Sequence, residues 1–349
     1  MGVVQHVRIR LIAFGLIVAF VLLSQGCVYF ANRFAPHPDT MAVEVTPSQS
    51  IASSGVEIKI INWNLGYAGM GKDSDFILDH GSQYRPLSKD LVAKNLLAIN
   101  DHLANAKADV LMLQEVAKRS WNTYQTDVYK ALQVRFPAYG WTYSFDVRTR
   151  WVPWPFTIRN GNATASLIPI ASAETRALTL EPNFFLGMFR KQYRMHIARL
   201  DHQGRPWVLV NIHLSAFDKE EDAVREKQLQ EVLGFAQQEY LKGNHVVIGG
   251  DWNLRLAPTE FPHTTAIEDL FWVRDLPQEL IPEGWTWGVD PQVPTVRSAN
   301  KPFVEGENYL LIIDGFLVSP NVEVLSVQTD NLQFEHTDHH PVSITVRAR

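Results

Sequence analysis

The chain has 349 residues, of which 46% are hydrophobic and 20% are charged. This share of apolar residues is enough for a packed core and excludes disordered and fibrous proteins. Residues 36–349 contain 29 lysines and arginines against 37 acidic residues, a net charge of -8, which excludes a protein that coats DNA through a basic surface. The single cysteine, Cys27, excludes an internal disulfide framework and a zinc site made of several cysteines.

The N-terminal segment, residues 1–32, has a basic flank followed by a long apolar run. Arg8 and Arg10 precede the sequence LIAFGLIVAFVLL at residues 11–23. A basic flank before an apolar stretch is typical of a secretory signal or of an uncleaved signal anchor. We therefore predict that this segment attaches the chain to a membrane, with the remaining residues outside the cytoplasm, in the periplasm or at the cell exterior.

Two kinds of attachment remain open for this segment. The apolar stretch from Ile9 to Phe30 is long enough for a helix that spans a bilayer, which needs roughly 20 residues. Alternatively, Cys27 follows Leu-Leu-Ser-Gln-Gly, which resembles the cleavage site of a bacterial lipoprotein, and a lipid would then be attached to this cysteine. Both alternatives anchor the chain to a membrane.

The next segment, residues 33–55, is rich in Pro, Ser and Thr and has no periodic apolar face. Such a composition predicts a linker that tethers the folded part to the membrane segment. The folded domain is then predicted to occupy residues 56–349, without repeats and without a second linker.

Short apolar runs alternate with amphipathic stretches throughout this domain. Helices are predicted at residues 91–107 and 219–241, where apolar residues recur every three or four positions. Other runs have the length and the β-branched content of strands: VEIKIINW (56–63), DVLMLQ (109–114), WVLVNIH (207–213), HVVIGG (245–250), YLLIIDGFLVS (309–319) and PVSITV (341–346). Because strands and helices are interleaved, the sequence predicts an α/β fold.

Polar residues stand at the ends of these strands, and each has an ordinary structural explanation when taken singly. Asn64 fits a turn, Glu115 fits a solvated strand end, and His213 fits a hydrogen-bonded core residue. Asp251 and Asn253 are more suggestive, because residues i and i+2 of an extended segment point the same way and can share one ligand.

Further polar residues lie within or before the last two predicted strands. Asp314 interrupts the run LLIIDGFLV, where a buried charge is costly unless it is paired. Asp338 and His339 precede Pro341 and the final strand, at a position that is also typical of a loop.

Together these residues predict the chemistry of phosphoester hydrolysis. Three carboxylates and two amides offer the hard oxygen ligands that Mg²⁺ or Mn²⁺ prefers: Glu115, Asp251, Asp338, Asn64 and Asn253. His213 and His339 add groups that can move protons near neutral pH. A cation, a base for the attacking water and an acid for the leaving oxygen are the parts that this reaction needs.

Six motifs occur in the order found in the endonuclease/exonuclease/phosphatase superfamily, which the sequence resembles over about residues 56–346. They are NWN with Gly66 beyond it, LQEV (113–116), VNIHLSA (210–216), GGDWN (249–253), IIDGFLVS (312–319) and TDHHPV (337–342). The superfamily includes pancreatic deoxyribonuclease, apurinic endonucleases, neutral sphingomyelinases and inositol polyphosphate 5-phosphatases. The resemblance implies a four-layered α/β sandwich, in which two mixed β-sheets pack face to face with helices outside.

The resemblance also implies a role for each metal-binding and water-activating residue. Glu115 would be the principal metal carboxylate, with Asn64 and Asp338 beside it. Asp251 would orient or deprotonate the attacking water, and Asn253 would hold a phosphoryl oxygen.

Roles for the remaining residues follow from the same resemblance. His339 would contact the scissile phosphate, with Asp314 fixing its tautomer and orientation. His213 matches the second histidine of the deoxyribonuclease and sphingomyelinase branches. Apurinic endonucleases lack this histidine, which argues against repair of abasic sites. The motifs do not identify the acid that partners this histidine in the deoxyribonuclease branch.

Two segments that mix aromatic and basic residues bear on the substrate. Residues 141–162 and 184–194 each contain several aromatic residues and arginines. Such segments can stack nucleic acid bases or settle into a lipid interface. In the third alternative the aromatic residues belong to the core and the arginines are solvated.

The predicted function is metal-dependent hydrolysis of a phosphodiester by attack of an activated water. The membrane anchor, the acidic domain and the two segments of aromatic and basic residues favour a lipid headgroup or a small phosphodiester. A nuclease that acts on DNA or RNA outside the cytoplasm is the alternative, with nucleic acid as a substrate only. A catalytically silent module that binds phosphate is the third alternative.

Overall fold

Three α-helices of this chain pack against β-sheets, and a fourth lies at the N-terminus. The computed structural model describes residues 2–49, 55–182, 191–217 and 223–349. Its helices are α1 (Gly2–Arg33), α2 (Lys89–Ala106), α3 (Val128–Arg135) and α4 (Val224–Leu241). The helices predicted at residues 91–107 and 219–241 correspond to α2 and α4, and residues 219–222 lie outside the described residues.

Most strands are short and lie between these helices. In chain order they are β1 (Thr40–Ala42), β2 (Val45–Thr46), β3 (Ile58–Asn64), β4 (Val110–Ala117), β5 (Gly140–Arg148), β6 (Arg159–Ser166), β7 (Ile170–Ala177), β8 (Arg194–His202), β9 (Arg205–His213), β10 (His245–Asp251), β11 (Thr286–Gly288), β12 (Val296–Arg297), β13 (Leu310–Leu311), β14 (Asp314–Val318), β15 (Val322–Thr329) and β16 (Val342–Ala348).

Within the described residues, the strands form two large sheets of seven strands each and one small pair. The first sheet has the order β1-β7-β8-β9-β10-β14-β11, and the second has the order β15-β16-β3-β4-β6-β5-β2. Both sheets are mixed, because β9 and β10 run parallel in the first and β3 and β4 run parallel in the second, next to antiparallel neighbours. Strands β12 and β13 pair with each other.

Apolar layers hold the sheets and helices together. The layer between the sheets combines Ile60 and Met112 from the second sheet with Leu209 and Val247 from the first, all fully buried. The outer face of the first sheet packs on α4, and that of the second packs on α2 and α3. Each buried aliphatic side chain contributes roughly 1.5–3 kcal/mol. This arrangement confirms the four-layered α/β sandwich.

The run at residues 309–319 forms two strands instead of the single predicted strand. The backbone amides of Ile313 and Asp314 both donate to Oγ1 of Thr295, at 2.9 and 3.0 Å. These bonds satisfy the backbone where it leaves β13 and enters the first sheet as β14. Asp314 therefore begins a strand, at the rim of the sheet, and does not interrupt one.

The linker predicted over residues 33–55 is partly ordered in its described part. β1 pairs with β7 at one edge of the first sheet, and β2 pairs with β5 near the edge of the second. An edge strand leaves backbone donors and acceptors unpaired, and an extended segment can satisfy them without an apolar pattern. Residues 50–54 of this segment lie outside the described residues.

Helix α1 carries the apolar N-terminal run. From Arg10 to Arg33 it is long and apolar enough to cross a membrane, with a mean hydropathy of 2.4. Its most apolar window is not buried against the remainder of the described chain.

Candidate active site

Strand ends from both sheets meet at one rim of the sandwich. The parallel strands β9 and β10 end at His213 and Asp251, which are paired in register. On the other side of β10, the antiparallel strand β14 begins at Asp314, which is paired with Asp251. Asn64 ends β3 in the second sheet. The topology therefore brings four of the predicted residues to the same edge.

The carboxylate of Asp251 connects the two sheets. Its Oδ2 accepts a hydrogen bond from Nδ2 of Asn64 at 3.0 Å, and its Oδ1 accepts one from the backbone N of Asn253 at 3.0 Å. Asn64 is oriented in turn, because its Oδ1 accepts a bond from the backbone N of Gly66 at 3.0 Å. Asp251 is buried, so these bonds hold its carboxylate in one orientation.

His339 is buried beside Asp251 and is paired with Asp314. Its Nδ1 lies 2.8 Å from Oδ2 of Asp314, and its Nε2 lies 3.8 Å from Oδ2 of Asp251. Burial lowers the pKa of His339, but the charge and the hydrogen bond of Asp314 outweigh burial and, with other nearby carboxylates, raise this pKa to about 10. Burial raises the pKa of Asp314 to about 6. The imidazole ring is therefore protonated at neutral pH.

Glu115 points into the same cavity because β4 is irregular at this position. The pairing of β4 with β6 shifts register around Glu115, whose φ of 53° lies in the left-handed region. Its Oε1 accepts a hydrogen bond from the hydroxyl of Tyr67 at 2.8 Å. Burial raises the pKa of Glu115 to about 7.

Asp338 lies beside the turn that follows β3. Gly66 in this turn has a φ of 47°, and a Cβ at Gly66 would lie 2.7 Å from Oδ1 of Asp338. Glycine is therefore needed there for both conformation and space. One cavity is lined by all the predicted residues except Asp314, which lies behind His339: Asn64, Glu115, His213, Asp251, Asn253, Asp338 and His339.

His213 lies on the other side of Asp251 from Asp314. Its Nε2 is 3.5 Å from Oδ2 of Asp251, whereas its Nδ1 has no hydrogen-bond partner among the described residues. Burial lowers the pKa of His213 well below its usual value, and the charges of Lys191 and His339 lower it further. His213 is therefore neutral at pH 7, and Asp251 is the acid within ion-pair distance of it.

Residues 61–339, about four fifths of the chain, match the Endonuclease/Exonuclease/phosphatase family. The chain belongs to this family. A comparison with curated protein sequences finds no match.

Solved structures share the fold of this family member at low sequence identity. The endonuclease/exonuclease/phosphatase from Beutenbergia cavernae has a TM-score of 0.56 at 16% identity, covering 84% of this chain and 72% of that one. TDP2 from Caenorhabditis elegans has a TM-score of 0.52 at 15% identity, with coverages of 85% and 77%. TDP2 from D. rerio, complexed with single strand DNA product, has a TM-score of 0.52 at 16% identity, with coverages of 84% and 100%. These similarities show the fold.

Some polar residues around this family site were not predicted from the motifs. Tyr67 donates to Glu115, and Lys191 lies close enough to lower the pKa of both Glu115 and His213. The basic and aromatic composition of residues 184–194 was the available signal for Lys191. Residues 183–190 lie outside the described residues, so most of that predicted segment does too.

Arg297 is a buried cation at the cavity wall that sequence reasoning also missed. Its Nη2 donates to the backbone oxygens of Met70, Gly71 and Ser74, at 3.2, 2.9 and 2.8 Å. These bonds tie β12 to the loop that follows β3. Asp79, whose pKa burial raises to about 7, lines the same cavity. The sequences around these two residues, TVRSAN at 295–300 and FILDHG at 76–81, gave no signal for them.

The donor set of the cavity fits a hard divalent cation. Glu115, Asp338 and Asn64 offer oxygen atoms, and burial raises the pKa of Glu115, so a bound cation would favour its charged form. A separate group has ligand atoms within 4.8 Å of one another: Asp251, Asp314 and His339. A hydrogen bond already joins His339 to Asp314, so pairing accounts for that group.

The aromatic segment at residues 141–162 divides between core and surface. Trp141 and Tyr143 lie in β5 and are buried, as the core alternative predicts. Trp151, Trp154 and Phe156 are exposed, with 73%, 76% and 58% of their surface accessible.

Proposed function

We propose that this protein is a divalent-metal-dependent phosphodiesterase that hydrolyses its substrate by attack of an activated water. The observation that carries the proposal is the convergence of His339, which is paired with Asp314, and an oriented carboxylate, Asp251, on the cavity that Glu115 also lines. The same cavity then contains a hydrogen-bond donor for the phosphoryl group, His339, and a base for the attacking water, Asp251.

Asp251 is proposed to orient and deprotonate the attacking water. Its Oδ2 accepts a hydrogen bond from the side-chain amide of Asn64, and its Oδ1 accepts one from the backbone N–H of Asn253. Each oxygen keeps a further lone pair for the water. Asn253 is proposed to hold a phosphoryl oxygen. Its Nδ2 donates one hydrogen to the backbone oxygen of Leu214 at 3.0 Å, so its second hydrogen remains for the substrate.

The two histidines are proposed to act in different protonation states. His339, held as an imidazolium by Asp314, places positive charge and an N–H group next to the phosphoryl oxygens. His213 is neutral because burial lowers its pKa. It can hydrogen-bond a phosphoryl oxygen or take up a proton during the reaction.

Mg²⁺ or Mn²⁺ would be held by Glu115, Asp338 and Asn64. When bound, the cation would supply neutralisation of charge on the phosphoryl oxygens. Oδ1 of Asn64 accepts one hydrogen bond from Gly66 and retains a lone pair as a ligand.

A lipid headgroup or a small phosphodiester is the proposed substrate class. A second cavity adjoins the first, and Tyr67, Met70, Glu115 and His213 line both. Apolar side chains form much of its wall: Met70, Phe76, Leu78, Val147 and Ile158. An apolar cavity next to the proposed metal ligand fits a phosphodiester with a hydrophobic substituent.

A nuclease is the second candidate, and one arrangement favours it. The guanidinium of Arg85 lies over the rings of Trp121 and Tyr124, 4.8 and 4.2 Å from their centroids, at the wall of the second cavity. Aromatic and arginine groups of this kind can stack bases. The D. rerio TDP2 structure of similar fold is complexed with single strand DNA product.

We also infer that α1 attaches the protein to a membrane, with residues 56–349 outside the cytoplasm. A reporter fused after Arg349 should behave as an exported protein, and the full chain should stay with membranes after a salt wash. Cys27→Ser separates the two kinds of attachment, because loss of acylation indicates a lipoprotein. If the Cys27→Ser variant has the same gel mobility as the wild type, the attachment is a spanning helix. A reporter that remains cytoplasmic would overturn the placement.

The catalytic proposal is tested on the full chain in detergent with bis(p-nitrophenyl) phosphate. Hydrolysis should require added Mg²⁺ or Mn²⁺ and stop with a chelator. Glu115→Gln and His339→Ala should each lower the rate at least about a hundredfold. Glu268→Gln, at an exposed carboxylate, is the matched control and should keep the wild-type rate. Undiminished activity in both variants would overturn the site, and phosphate binding without turnover in the wild type would favour the silent module.

A further inference from the structure

The C-terminal end of α1 is joined to an aromatic loop of the catalytic domain. The aromatic loop comprises residues 149–158, between β5 and β6. Nδ2 of Asn32 donates to the backbone oxygen of Arg150 at 2.9 Å, and the backbone N of Arg150 donates to Oδ1 of Asn32 at 2.7 Å. Asn32 is only 8% exposed, although it lies in the last turn of α1. The two reciprocal bonds hold helix and loop in one relative position.

The residues after α1 are also attached to the domain. Nη1 of Arg33 donates to the backbone oxygen of Pro182 at 3.3 Å, and Nη2 of Arg194 donates to that of Pro38 at 2.7 Å. β1 begins two residues later and joins the first sheet. The catalytic domain is thus held directly against the end of the helix.

Large aromatic side chains surround this junction and face solvent. Trp151 directly follows the residue that is bonded to Asn32, and Trp154 lies three positions further along the loop. On the helix side, the rings of Phe30 and Phe34 are exposed and stack with 5.7 Å between their centroids. Trp side chains concentrate at membrane–water interfaces, because an indole ring is largely apolar and carries one polar N–H.

The charge around the junction is positive, unlike that of the domain as a whole. Residues 147–159 contain three exposed arginines and no acidic residue. Residues 24–38 contain Arg33 and no acidic residue, whereas residues 36–349 have a net charge of -8 from 29 basic and 37 acidic residues. A basic patch with exposed tryptophans on an acidic domain matches an anionic lipid surface.

We propose that the aromatic loop is a bilayer-docking surface that places Trp151 and Trp154 among the lipid headgroups of the membrane to which α1 is attached. The inference rests on the proposed attachment of α1. It holds for both kinds of attachment, because Asn32 lies at the end of a spanning helix and also close to Cys27.

Docking would bring the second cavity to the lipid surface. Ile158, at the end of the loop, and Val147, in β5 just before it, line that cavity. Phe156 lines a neighbouring depression together with Arg85 and Trp121, which also line the cavity. The residues that line these adjoining depressions therefore extend without a break from the aromatic loop to Glu115.

Fluorescence quenching by brominated lipids tests the docking surface. The full chain is reconstituted into vesicles of phosphatidylcholine and phosphatidylglycerol, with bromine near the headgroup end of the acyl chains. Because α1 contains no tryptophan, any quenched emission must come from the catalytic domain. We expect a loss of up to about one fifth of the emission, since Trp151 and Trp154 are two of the ten tryptophans.

Variants assign the quenched signal and separate this inference from the catalytic proposal. The double variant Trp151→Phe/Trp154→Phe should lose the quenching and keep hydrolysis of bis(p-nitrophenyl) phosphate, because the chemistry lies elsewhere. Trp285→Phe, at a partly exposed tryptophan outside the loop, is the matched control and should retain the quenching. Asn32→Ala should reduce the quenching while the protein still floats with the vesicles.

Flotation distinguishes the ways in which the inference can fail. A protein that floats with the vesicles but shows no quenching, or the same quenching in the double variant, overturns the docking surface alone. A protein that does not float overturns the membrane attachment as well. If single-stranded DNA binds the aromatic loop and quenches the same two tryptophans in place of lipid, the loop is a base-stacking element and the inference is wrong.

Discussion

Nδ1 of His339 lies 2.8 Å from Oδ2 of Asp314, and both side chains are buried at the rim where the two sheets meet. The pair explains why a carboxylate stands at the start of an otherwise apolar strand. It also explains why His339 keeps its proton at neutral pH, because the neighbouring negative charge outweighs the effect of burial.

The variant Asp314→Asn should move the alkaline limb of the pH–rate profile to lower pH. In the wild type the pKa of His339 is about 10, so activity that needs the imidazolium should fall as pH rises through about 10. Without the carboxylate, burial is the main remaining effect on this pKa and lowers it. The profile is measured with bis(p-nitrophenyl) phosphate, and proton NMR of His339 reports its titration directly.

The same pair makes a prediction for stability. A raised pKa stabilises the folded state fully below the unfolded value of about 6.5 and ceases to do so as pH rises through about 10. Denaturant unfolding at several pH values should show this decline in the wild type and a smaller one in Asp314→Asn. For the activity profile the matched control is Asp330→Asn, which removes the partner of His102 at 3.3 Å and does not line the cavity. An alkaline limb unchanged in Asp314→Asn would contradict the assignment.

Affinity for Mg²⁺ should fall as pH drops through about 7. The pKa of Glu115 is about 7 because burial favours the neutral carboxyl group, and a protonated carboxyl group is a poor ligand for a cation. Binding should therefore release protons near pH 7. Calorimetry in buffers of different ionisation enthalpy measures that release, and Glu115→Gln should abolish most of it. Equal affinity at pH 6 and pH 8 would argue against Glu115 as a ligand.

Removal of the Lys191 charge should alter titration at two residues. Lys191 lowers the pKa of both Glu115 and His213, so Lys191→Met should raise both values. The acid limb of the pH–rate profile should then shift to higher pH, and KM should rise because a cation near the phosphate is lost. Lys191→Arg retains the charge and should restore most of the wild-type profile. If Lys191 had only a structural role, Lys191→Met would lower the activity by the same factor at every pH.

The substitution Gly66→Ala should disturb the proposed metal ligands. The new Cβ would lie 2.7 Å from Oδ1 of Asp338 and from Cβ of Met70, at a φ of 47°. We expect a loss of about 1–2 kcal/mol from the left-handed conformation alone, together with weaker Mg²⁺ binding because Asp338 must move. Gly204→Ala is the control, since Gly204 has a φ of 72° and nothing within 4 Å of a Cβ. It should cost stability without affecting metal binding or rate.

Local sequence patterns predicted part of the sandwich, namely α2, α4 and the strands of the six apolar runs, but not α3 or the strands β5 to β8 and β15. The runs at residues 207–213 and 245–250 correspond to β9 and β10 within a few residues, because strand length and β-branched content are local properties. The family motifs supplied the candidate residues, since each motif places polar residues near the start or the end of a strand. Local patterns did not predict the division of residues 309–319, which depends on hydrogen bonds to the distant Thr295.

The sequence by itself determined the family, the α/β class and which polar residues stand at strand ends. Tertiary structure alone decided which of them share a cavity, that Arg297 lines the same cavity and Lys191 the adjoining one, and which aromatic residues are exposed. Asn64 and Asp251 are hydrogen-bonded although 187 positions separate them, and Asn32 reaches Arg150 across 118 positions. Such contacts depend on strand order and on face-to-face packing of the two sheets, and no periodicity within a short segment encodes either.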